Sequence, residues 1–105
     1  MVFAETPVFT KLVKQLLSDD EYRQLQEVLL TRPEAGDLIP GSGGLRKIRW
    51  GIRGKGKQGG LRVIYYWDVP EETFYMLTLY KKSARKDITP DQIKVLRRLV
   101  EEWLS

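Results

Sequence analysis

Cysteine and histidine are both absent from this 105-residue chain, and each absence removes a class of chemistry. Without a thiol there is no disulfide, no zinc-thiolate site and no cysteine nucleophile. Without an imidazole, the usual general base near neutral pH and the commonest metal ligand are missing. Any reaction must therefore run on Lys, Arg, Tyr, Asp, Glu, Ser or Thr. There is no apolar run long enough to span a bilayer and no apolar leader core at the start, so a cytoplasmic protein is expected. Acidic residues are also missing from one long interval, Asp37 to Asp68. The formal charge is −3 over residues 1–37, +7 over 38–67 and 0 over 68–105, so the net +4 belongs to one patch.

That patch is the stretch around which the chain is organised. Gly41 to Trp67 reads GSGGLRKIRWGIRGKGKQGGLRVIYYW and carries Arg46, Lys47, Arg49, Arg53, Lys55, Lys57 and Arg62. Glycines at 51, 54, 56, 59 and 60 exclude a helix and allow close approach of a ligand to the backbone. The flanks LRKIRW and LRVIYYW are rich in β-branched and aromatic residues and read as strands. A basic loop held between two strands suits a polyanion; the plainer alternative is a solvated surface that keeps the protein soluble.

With 42% apolar and 30% charged residues, the length fits one domain, residues 1–105, around one core. Val2–Glu5 reads as an opening strand. Thr6 and Pro7 form a helix start, followed by Phe9, Leu12, Val13, Leu16 and Leu17 at helical spacing. Ser18 and Glu21 have capping-box spacing for a second helix with Tyr22, Leu25, Val28 and Leu29 on one stripe, ended by Pro33 and Gly36. Its early acids suffice as helix-start charges. Asp37–Gly44 reads as a loop. Strands follow at Leu45–Trp50, Leu61–Trp67 and Thr73–Tyr80, with Leu77 and Leu79 on one packed face. Tyr65, Tyr66, Trp50 and Trp67 are expected to pack in the sheet. Thr89, Pro90 and Gln92 open a last amphipathic helix with Ile93, Leu96, Leu99, Val100 and Trp103 on one side. The order β-α-α-β-β-β-α predicts an α+β fold, a small, mainly antiparallel sheet with the helices as a layer against it.

The loop Gly41–Lys47, the run Gly54–Tyr66, the strand FYMLTLY, the basic linker and the DITPDQ helix start occur in an order similar to the RelE/ParE superfamily of bacterial type II toxins, closest to the HigB branch. The resemblance spans essentially the whole chain and implies a RelE-like fold. It further implies a toxin that cleaves messenger RNA in the ribosomal A site and is neutralised by a cognate antitoxin, of helix-turn-helix HigA type. Cleavage in the family needs no metal or cofactor. The 2′-hydroxyl attacks the adjacent phosphate to give a 2′,3′-cyclic phosphate and a 5′-hydroxyl.

The residue chemistry is compatible with that route. Its transition state concentrates negative charge on phosphoryl oxygens, so fixed cations should supply much of the rate. Arg62 is the first candidate, since its fork holds two oxygens and stays charged. Lys55 and Lys57 are candidates for clamping the backbone or, where clustered cations favour a neutral amine, for acting as base. Tyr80 is a candidate proton donor or base-stacking ring, with a sheet-face residue as the plainer reading, and Lys82 completes the catalytic set. Arg46, Lys47, Arg49, Arg53 and Lys86 are candidates for RNA binding. Relatives often carry a Tyr or His near the C-terminus; this chain has neither after Tyr80, so lysines are expected to take over proton transfer. Two other readings stand beside this one: a ParE-like inhibitor of DNA gyrase, and a non-catalytic RNA- or ribosome-binding module.

Overall fold

The computed structural model describes residues 1–51, 60–84 and 87–104. The chain leaves its first strand, β1 (Val2–Glu5), at Thr6, whose hydroxyl accepts the Phe9 N–H at 2.9 Å and caps α1 (Pro7–Leu16). A reciprocal box opens α2 (Asp19–Thr31): Ser18 Oγ accepts from the Glu21 N–H at 3.1 Å, and the Ser18 N–H donates to Glu21 Oε1 at 2.8 Å. The segment expected as a loop contains a two-residue strand, β2 (Asp37–Leu38), because Asp37 and Leu38 pair with Lys47 and Arg46. It abuts β3 (Leu45–Trp50), which is followed by β4 (Leu61–Asp68) and β5 (Thr73–Lys81). The last helix, α3 (Pro90–Leu104), opens with reciprocal Thr89–Gln92 bonds of 2.9 and 3.2 Å.

The five strands lie in the order β1-β5-β4-β3-β2, with β1 parallel to β5 and every other pair antiparallel. The α+β architecture is thus the expected one, with one correction. The helices do not form a single layer. Phe9, Val13, Leu25 and Leu29 of α1 and α2 pack with Leu61, Val63 and Tyr65 on one face, while Val100 of α3 packs with Leu45, Ile64 and Leu77 on the other. Central β4 is apolar on both faces and needs cover on each.

Strand β5 carries one more residue than β4 between matching pairs. Ile64 pairs with Thr78 and Tyr65 with Met76, leaving Leu77 as a bulge. The chain just after β1 fastens this irregularity: the Thr6 N–H donates to the Met76 carbonyl at 3.1 Å, and Thr6 Oγ1 donates to the Leu77 carbonyl at 2.8 Å. The bulge also corrects the expected face of β5. Leu77 belongs to the α3 side and Leu79 to the α1/α2 side, because the extra residue inverts the alternation.

At the other end of the sheet, the turn before β3 runs through Gly43 (φ +73°) and Gly44 (φ +108°), left-handed positions that disfavour a side chain. The Arg97 guanidinium of α3 lies over Gly43 and donates to its carbonyl, bolting the helix to the turn. Tyr65, fully buried, donates to the Pro33 carbonyl at 2.8 Å and accepts the Gly36 N–H at 2.9 Å.

Thr6→Val should lower stability by about 1–2 kcal/mol, the effect of losing a cap and a buried hydrogen bond, whereas Thr6→Ser should hold near wild type. Urea denaturation reads both, and equal midpoints for all three proteins would deny Thr6 this role. Burial raises the pKa of Tyr65 and of Tyr22, whose hydroxyl also donates to Glu5 Oε2 at 2.7 Å. A raised folded-state pKa favours the protonated phenol, so this contribution is intact below the ordinary phenol range and lost as pH climbs through it. Unfolding midpoints should therefore fall above about pH 10, and less steeply in Tyr65→Phe, itself weaker by about 1–3 kcal/mol at neutral pH. A pH-independent wild-type midpoint up to pH 11 would contradict this.

Candidate functional site

The register of the three long strands assembles a row that the sequence alone leaves undetermined. Arg62 of β4 pairs with Arg49 of β3 on one side and with Tyr80 of β5 on the other. Directly paired residues share a face, so all three side chains emerge on the α3 side of the sheet. The row lies at the end of the sheet from which β3 leaves and β4 enters, flanking residues 52–59. The Leu77 bulge makes this possible, since uninterrupted pairing from Tyr65–Met76 would bring Leu79 opposite Arg62 and turn Tyr80 to the other face.

Arg62 is only 6% exposed, and one of its guanidinium nitrogens donates to the Leu61 carbonyl at 3.2 Å. Arg49 opposite it is exposed. Like charges at directly opposed positions destabilise a sheet, and a guanidinium gives up hydration when buried. A bound anion offsets the repulsion, and a buried arginine with a second, exposed cation beside it is a form suited to phosphate.

One step along the same face, Lys47 pairs with Ile64. Its ammonium donates to Asp87 Oδ1 at 3.0 Å, and the same oxygen accepts the Ile88 N–H at 2.8 Å. The Asp87 carboxyl is held below its ordinary pKa, first by the Lys47 bond and then by the Ile88 N–H, with the charges of Lys47 and Arg62 adding to the effect. Ile88 is buried beside Tyr80 in the α3-side core, so the segment entering α3 crosses this face. In the sequence Asp87 stands only as the first residue of the DITPDQ helix start, with nothing to place it beside Lys47.

The other candidates separate. Lys82 is exposed just past β5, and its main-chain N–H donates to the Gly60 carbonyl at 3.0 Å, which fixes residue 82 beside the start of β4. Arg46 is on the opposite face, donating to the Gly36 carbonyl at 2.7 Å and lying 3.7 Å from the Glu34 carboxylate. It braces the connection after α2 and is not brought to the row. Lys55, Lys57, Arg53 and Lys86 lie outside the described residues.

If Arg49 is set against Arg62 at the expense of the fold, Arg49→Gln should raise stability by roughly 0.2–1 kcal/mol in low salt while weakening binding of inorganic phosphate. The gain should shrink as salt screens the pair. Thermal denaturation at two ionic strengths measures this, and a destabilised Arg49→Gln would refute it.

The chain can be compared with known proteins at this point. Residues 5–105 match the family model described as the RelE toxin of the RelE/RelB toxin–antitoxin system. A mutant of the E. coli RelE toxin in the free state superposes with a TM-score of 0.57 at 17% identity, over 81% of this chain and 86% of that one. The isolated E. coli RelE toxin superposes with a TM-score of 0.52 at 16% identity, over 93% and 97% respectively. At these identities the superpositions speak for the fold, and the family model speaks for descent.

Proposed function

The chain belongs to the RelE toxin family, and on that premise we propose that it is a messenger-RNA endonuclease that stops translation from the ribosomal A site. The observation that carries this reading is the opposed pair Arg49–Arg62 with Tyr80 in the same row. A surface that only inhibits another protein has no need of a buried guanidinium set against a second one. Within the family we assign the chain to the HigB-like branch, on its Gly41–Lys47 loop and Gly54–Tyr66 run. We pair it with a HigA-like, helix-turn-helix antitoxin in the cytoplasm.

In this reading Arg62 grips two non-bridging oxygens of the scissile phosphate and Arg49 approaches from the solvent side. The 2′-oxygen attacks phosphorus, the bond from phosphorus to the 5′-oxygen breaks, and the products are a 2′,3′-cyclic phosphate and a 5′-hydroxyl. The leaving oxygen takes its proton from Tyr80, assigned because it pairs with Arg62 in the register. The 2′-hydroxyl gives its proton to Lys55 or Lys57, a lysine serving as base where neighbouring cations favour its neutral form. Lys82, tied to the start of β4, contacts the phosphate from the β5 side, and Arg53 and Lys86 hold the flanking RNA backbone.

Inducible expression of the wild type and Arg62→Ala, followed by mapping of messenger-RNA 5′ ends, tests the proposal. Expected are new 5′-hydroxyl ends inside translated frames with the wild type, reduced by about 10²–10³ with Arg62→Ala. Growth arrest without such ends would overturn the nuclease reading in favour of inhibition by binding.

A further inference from the structure

The cationic face includes an acid, and the acid is tightly held. One oxygen of Asp87 accepts both the Lys47 ammonium, at 3.0 Å, and the Ile88 main-chain N–H, at 2.8 Å. Ile88 is anchored in the core beside Tyr80 and Val100, and the α3 cap follows at Thr89. The carboxylate is therefore fixed by packing that exists for other reasons. This distinguishes the pair from an ordinary surface ion pair, which must order two free side chains to form. Lys47 is the more enclosed partner, 30% exposed against 63% for Asp87. On a face suited to a polyanion, a fixed carboxylate repels the ligand and occupies a cation that would otherwise hold it.

We propose that Asp87 is an internal counter-anion that withholds Lys47 from the RNA backbone and so weakens the toxin's grip on bare single strands. The inference rests on the reading of this face as an RNA site and specifies how it is tuned. A phosphate reaching Lys47 must displace a partner of like charge that is already in place. The exchange yields no net counterion release, because the ion freed from the phosphate is balanced by one drawn to the Asp87 carboxylate that the phosphate displaces. The remaining cations, with Arg62 and Arg49 foremost, then set affinity. A strand is retained when something else presents it, and naked RNA in bulk is released.

The test is binding of the purified, full-length protein to a short single-stranded RNA methylated at every 2′-oxygen, which cannot be cleaved, followed by fluorescence anisotropy across a range of salt. Asp87→Asn should bind several-fold more tightly at low salt, and its plot of log affinity against log salt should steepen by about 0.7, one phosphate contact on a single strand. Adding Lys47→Met to Asp87→Asn should return the slope to the wild-type value. Asp87→Ser, which keeps an acceptor for the Ile88 N–H without the charge, should reproduce Asp87→Asn and serves if that variant folds poorly. If the wild type binds and both charge-removing variants keep its slope, or bind more weakly, the counter-anion role is refuted while the RNA site stands. If neither the wild type nor either charge-removing variant binds RNA at any salt, the reading of this face as an RNA site falls, and this inference with it.

Discussion

Thr6, through its hydroxyl to the Leu77 carbonyl and its main-chain N–H to the Met76 carbonyl, holds the irregularity on which the face of the site depends. Side chains alternate along a strand, so a single extra residue exchanges the two faces for everything beyond it. Leu77 is that residue, and Tyr80 is what it redirects. Thr6 also caps α1, which joins the bulge and the helical cover of the opposite face in one side chain. The parity of β5 is thus set where the first strand passes into the first helix, far from the residues whose direction it decides.

The electrostatics follow from that geometry. Arg62 is buried on the central strand, and the antiparallel register gives it Arg49 as a neighbour. Directly opposed like charges cost a sheet stability. A toxin of the RelE family has reason to keep both if the ligand is a phosphate. Asp87 moderates the same field from the linker side, so the face combines a deep cation, an exposed cation and a restrained one.

Much of this was legible in the sequence. The caps at Thr6, Ser18 and Thr89 and the apolar spacing of the helices rest on local chemistry, and each is found. Arg62 stood out as a cation in an otherwise apolar strand. What escaped were relations between strands. Strand β2 exists only through its pairing with β3, and nothing in Asp37–Leu38 announces it. Leu77 and Leu79 look equivalent under a period of two, and the bulge that separates them is fixed by a residue some seventy positions earlier. Arg46 sits beside Lys47 in a uniformly basic run, yet one step along a strand sends it to the opposite face, where it braces the chain after α2. Lys55, Lys57 and Lys86 lie outside the described residues, and the register carries no information about them.

The parallel pairing of β1 with β5 also has a meaning in time. The hairpins linking β3, β4 and β5 join neighbours in sequence, whereas Thr6 must wait for Met76 and Leu77, 71 positions on in the case of Leu77. Contacts of such long separation form late, because loop closure opposes them until the rest of the sheet rewards it. A nascent chain on the ribosome has nothing to close onto until β5 has emerged. Tyr80 is therefore committed to the face of Arg62 only once β5 has left the exit tunnel, and a chain on which β5 is still being made carries no finished row.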